Sequence, residues 1–63
     1  MNFKDFMELY DNWNGTDIIV NDNNLDVIVS GDTSTIMETR TDLFDKEVVA
    51  FGFFYEELVV RVK

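Results

Sequence analysis

The residues with the best claim to chemistry are carboxylates. Asp22-x-Asn24-x-Asp26 sets three oxygen donors at the first three ligand positions of a calcium loop. Such a loop also needs a glycine at its sixth position and a bidentate glutamate at its twelfth. Val27 and Thr33 stand there instead. Asn and Asp side chains bond their own backbone and tolerate left-handed φ, so a hairpin turn is the better account. Paired carboxylates can also do glycosidase-type acid–base work in a cleft. Here the acids fall on the polar face of a helix and in turns, and a chain of 63 residues does not readily make a deep cleft.

The rest of the catalytic vocabulary is missing. There is no His, which removes the commonest general base, and no Cys, which removes thiolate zinc sites and disulfides. No G-x-G-x-x-G, P-loop or G-x-S-x-G occurs. Asn14-Gly15-Thr16 has the form of a glycosylation sequon but reads as a turn. The expectation is a non-enzymatic chain with no metal and no cofactor.

Composition narrows the class of partner. Thirteen acids against five bases give a net charge of −8. That charge argues against direct contact with nucleic-acid phosphates. A hydrophobic fraction of 46% with 14% aromatics is too high for a disordered acidic tail. No apolar run approaches the ~20 residues of a membrane span. The opening MNFKDFMELYDNW carries acids where a signal peptide needs bases, so an intracellular protein is expected.

The elements that must position these groups can be read from periodicity. Phe3, Phe6, Met7, Tyr10 and Trp13 share one face of a helix over 2–13, capped by Asn2 and stopped at Gly15. Ile18-Ile19-Val20 and an alternating Leu25, Val27, Val29 strand flank the Asn21–Asn24 turn, which predicts a hairpin. Asp32, Thr33 and Ser34 are all good N-caps for a short helix running to about Thr41, with a Thr35–Glu38 capping box. Leu43 and Phe44 would then cover the core from a connector. Val49, Phe51 and Phe53 alternate with Val48, Ala50, Gly52 and Phe54, and a turn at Tyr55-Glu56-Glu57 leads into Leu58, Val60 and Val62. The fold class is α+β in a single small domain spanning 1–63. An N-terminal amphipathic helix packs on a four-stranded antiparallel sheet in the order α-β-β-(α)-β-β.

Two surfaces emerge as candidates. The first is acidic: residues 1–32 hold seven acids and one base, whereas residues 33–63 hold six acids and four bases. Asp5, Glu8 and Asp11 on the helix, with Asp17, Asp22 and Asp26 on the hairpin, would bind a basic protein surface, a nucleic-acid-binding groove being one such surface. The second is apolar: Val48, Ala50, Phe54 and Val59, joined by Ile19 and Ile28, make one sheet face unusually apolar for water. Either the second helix folds over that face or a second copy of the chain does, as a homodimer.

The opening MNFKDFMELYDNWN, the NDNNLDVIV hairpin and the closing DKEVVAFGFFYEELVVRVK resemble the short, acidic, uncharacterised proteins of phages and mobile elements of gut Firmicutes. In size, charge and helix-plus-sheet order the chain is also similar to small anti-CRISPR proteins. Those share no common motif, so no functional residue carries over. The resemblance implies an anti-defence inhibitor, in the cytoplasm of a bacterial host, that works by binding. The alternative is a small oligomeric scaffold or accessory protein using its apolar sheet face.

Overall fold

The computed structural model describes residues 1–9 and 17–63. Its elements run α1 (Phe3–Leu9), β1 (Asp17–Asn21), β2 (Val27–Asp32), α2 (Thr33–Thr39), a 3-10 turn (Thr41–Leu43), β3 (Val48–Phe54) and β4 (Glu57–Val62). The architecture is α+β. Helix α1 starts as its sequence implies: the Asn2 side chain accepts from the Asp5 amide at 2.8 Å. Phe3, Phe6 and Met7 are buried. Tyr10, Asp11, Trp13 and Gly15 lie outside the described residues.

Helix α2 is capped by Asp32, whose carboxylate accepts from the Thr35 amide at 3.0 Å. That replaces the Thr35–Glu38 box, because Thr35 is already inside the helix and gives its own hydroxyl to Asp32. Ile36 and Leu43 join the α1 residues in one core with Ile18, Val20, Leu58, Val60 and Val62. Both helices therefore cover the same side of the sheet, and α2 does not close the other side.

The strand order is β2-β1-β4-β3. Both hairpins are antiparallel, but the two inner strands, β1 and β4, run parallel. The sheet is mixed rather than wholly antiparallel. The cause is α2, which carries the chain back over the sheet between hairpins, so the second hairpin starts from the same end as β2. Leu25-x-Val27-x-Val29 and Leu58-x-Val60-x-Val62 share a spacing in the sequence but not a setting in the sheet. Strand β4 is central and buries every second residue, while β2 is an edge strand with no buried residue.

Two register breaks decide which side chains face the core. On β2 the pairing passes from Val20–Val29 to Asn21–Val27, so Ile28 is an extra residue. Ile28 and Val29 both pack against the core, and Val27 turns to the open side, 61% exposed. Leu25 is not in the strand at all: it sits in the turn with φ 69°. On β3 the pairing passes from Val48–Val62 to Ala50–Arg61, so Val49 is extra. That switch sends Val48 to the core side, where it packs against the cluster. A one-residue slip exchanges faces in a strand, and a bulge imposes that slip locally.

The second hairpin closes through Tyr55 and Glu56, at φ 52° and 69°. Two consecutive positive φ values are those of a type I′ turn, which matches strand twist but favours Asn-Gly. Each non-glycine residue there costs about 1–2 kcal/mol. Tyr55 is 97% exposed, so replacing it loses no packing. The double variant Tyr55→Asn/Glu56→Gly should raise the unfolding free energy by roughly 1–2 kcal/mol in a denaturant titration. Unchanged or lower stability would show that the turn holds no strain.

Candidate functional site

The acids named from sequence are not gathered into one patch. Asp5 and Glu8 are exposed on α1, with Glu8 4.0 Å from Lys4. Asp22 and Asp26 sit at the β1–β2 turn, and Asp17 at the opposite end of β1. The five residues of β1 span roughly 13 Å from Asp17 to Asn21. Asp11 lies outside the described residues. The carboxylates also differ in what they are free to do. Asp22 Oδ1 accepts from the amides of Asn24 (2.8 Å) and Asp26 (3.0 Å), which makes it part of its own turn. Among the described residues no group of three or more acids could hold a metal ion.

The cations are mostly spoken for. Arg40 donates through Nε and Nη2 to Asp42, both at 3.0 Å. That hydrogen-bonded fork holds the Asp42 carboxyl below its ordinary range and raises the Arg40 guanidinium. Lys63 lies 3.6 Å from Glu47. Arg61 is different. It stands on the open side of the sheet, and its shielded Nε has no hydrogen-bond partner, nor has the Oδ1 of neighbouring Asn21.

The open side is the most organised surface. Three rows of side chains cross its strands. The middle row is Gly52, Val59, Ile19 and Ser30, paired in that order across the sheet. Toward one end lie Ala50, Arg61, Asn21 and Val27. Toward the other lie Phe54 and Glu57, with Asp17 the next β1 residue beyond the Ile18–Leu58 pair. A Cβ added at Gly52 would lie 3.4 Å from the Phe54 ring, so the ring leans along the sheet over the glycine. Leu25 and Phe54 rim a shallow depression of ≈ 310 Å³ floored by Val59, Arg61 and the small residues.

This face keeps Ala50, Phe54, Val59 and Ile19 from the set read in the sequence. It excludes Val48 and Ile28, which the two bulges turn toward the core. It adds Arg61, Asn21, Glu57 and Asp17 as its polar members. The sequence did carry a signal for Arg61: a cation two residues from Val59 on the side of β4 opposite Leu58, Val60 and Val62.

The chain matches no protein-family model, no curated protein and no solved structure. No described helix is long and apolar enough to cross a membrane.

The assignment of Asp22 to the turn has a direct consequence. Asp22→Ala should cost about 1–2 kcal/mol of stability by leaving two turn amides without their acceptor. Calcium added to the native protein should leave Tm unchanged. A calcium-dependent rise in Tm would instead make this turn a cation site.

Proposed function

We propose that this chain is a non-enzymatic protein-binding module that docks through its open sheet face, with an acidic surround that favours basic partners. The observation that supports this most is the one-sided cover of the sheet. Both described helices pack on one side, leaving the other with half-buried Val59, Ile19, Ala50 and Gly52 and an exposed Phe54. Exposed apolar patches rimmed by polar residues mark interaction sites. Ala50 is small, while Gly52 lies under the Phe54 ring, so the ring is the apolar group that this strand presents to a partner. The net charge of −8 steers encounter with a basic surface. The resemblance to small anti-defence proteins supplies the biological setting: inhibition of a host defence protein by occupying one of its surfaces, inside a bacterial cell.

A second reading, phosphate mimicry by the acids themselves, is favoured by the exposure of Asp5 and Glu8 on α1. It draws less support from the geometry, because Asp17 is far from Asp22 and Asp26.

Two variants separate the readings. Val59→Lys alters the face, and Asp5→Lys/Glu8→Lys alters the helix. Partners captured from host lysate by the wild-type chain are identified and then titrated with each variant. Docking through the face expects Val59→Lys to weaken binding at least about tenfold, while the helix variant stays within about threefold. The opposite pattern, together with a steep loss of association rate in salt, would establish the mimic and overturn the face.

A further inference from the structure

We infer that the open face is self-complementary and closes on a second copy of this chain about a two-fold axis lying along the Gly52–Val59–Ile19 row. The inference rests on that face being a docking surface. It comes from how the three rows are arranged. Rotation about an axis that lies in the face and crosses the strands lays each strand over its own copy, running the other way. Val59 then lies over Val59 and Gly52 over Gly52.

The outer rows exchange. On β4, positions 57 and 61 are equidistant from 59, so Glu57 of one copy comes over Arg61 of the other. On β3, positions 54 and 50 are equidistant from 52, so Phe54 comes over Ala50. On β1, positions 17 and 21 are equidistant from 19, so Asp17 comes over Asn21. The exchanges match unlike partners: acid over base on β4, the Phe54 ring that leans over Gly52 against the small Ala50 on β3, and on β1 a carboxylate over the Asn21 side chain, whose NH2 can donate to it while its Oδ1 stays unpaired. None sets like charges together.

The exchange also answers two defects of the single copy. Glu57 and Asp17 are like-charged neighbours across the β1–β4 junction, and neither has an ion-pair partner among the described residues. Arg61 has no carboxylate partner among the described residues, and since its Nε is shielded within the chain, its terminal nitrogens are the ones a second copy can meet. In the closed pair the guanidinium receives a carboxylate and the carboxylate row receives its cation. Two inner sheet faces stack about 10 Å apart, with the Phe54 rings filling the space above Gly52 at β3.

The footprint sets the strength. Four strands ~4.8 Å apart and five residues of ~3.3 Å give roughly 19 × 17 Å per copy. That is well under the ~800 Å² per partner of a standard interface, so the dimer should be weak, with Kd on the order of 10 μM to 1 mM. A net charge of −8 on each copy opposes it, so added salt should first strengthen association by screening that repulsion.

Sedimentation equilibrium over that concentration range tests the geometry. Wild type should dimerise. Glu57→Arg sets Arg over Arg, and Arg61→Glu sets acid over acid; each should weaken the dimer at least about tenfold. The double variant Glu57→Arg/Arg61→Glu restores unlike pairs and should return to within about threefold of wild type. Mixing the two single variants should give a heterodimer tighter than either homodimer. Val59→Glu, which brings two carboxylates together at the axis, should be monomeric; far-UV circular dichroism confirms each variant is folded. A wild type that stays monomeric, or a double variant no better than the singles, would overturn the inference. If wild type is monomeric while Val59→Lys still loses the captured partner, the dimer fails and the docking face stands. If neither self-association nor partner binding responds to position 59, both fail.

Discussion

One constraint governs this molecule: among the described residues, both helices cover the same side of a single sheet. Strand β4 shows it most directly. Leu58, Val60 and Val62 are buried beneath the helices, and Glu57, Val59 and Arg61 between them are only half-buried. With 63 residues there is material for two helices and four strands, but no further layer is seen among the described residues. The crossover by α2 brings the second hairpin alongside the first with β1 and β4 innermost and parallel. Those two strands supply the centre of both faces: the core on one side, and the Ile19–Val59 row on the other.

What could be read from the sequence follows from the same constraint. The helix caps were legible because Asn2 and Asp32 act within their own turn, through bonds that depend only on local spacing. Strand β4 was legible because it is central and unbroken, so its period of two runs its full length. Strands β2 and β3 are edges, and each carries a bulge. A bulge adds a residue without changing composition, so period-two reasoning goes wrong on one side of it. That is why Val27 faces solvent and why Val48 belongs to the core. The parallel junction was illegible for another reason. Strand direction between hairpins is set by where a crossover lands, and a tertiary packing choice leaves no local trace in residues 33–47.

The candidate site divides in a similar way. Its apolar members were visible as residues too hydrophobic for a solvated face. Its polar members were visible only singly, Asp17 as one of the acids and Arg61 as a cation opposite the core residues of β4, until register places them with Glu57 at opposite ends of one surface. Charge in this chain therefore has two parts. Most of it is spread over α1, the turns and the connector, where charge favours solvation and attracts groups of opposite sign at long range. A small part is ordered across the open face, where position relative to the two-fold row gives it direction. The acids read from sequence as one surface belong to separate places in the fold.

The open side of the sheet, not the helical side, is the face proposed to meet another protein. Amide spectra of ¹⁵N-labelled wild-type protein, recorded across a dilution series, test it residue by residue. The expected result is concentration-dependent shifts grouped at Ile19, Asn21, Gly52, Phe54, Val59 and Arg61, with α1 and α2 unchanged. Shifts that fall on Phe3–Leu9 and spare the β1 and β4 positions would contradict the account.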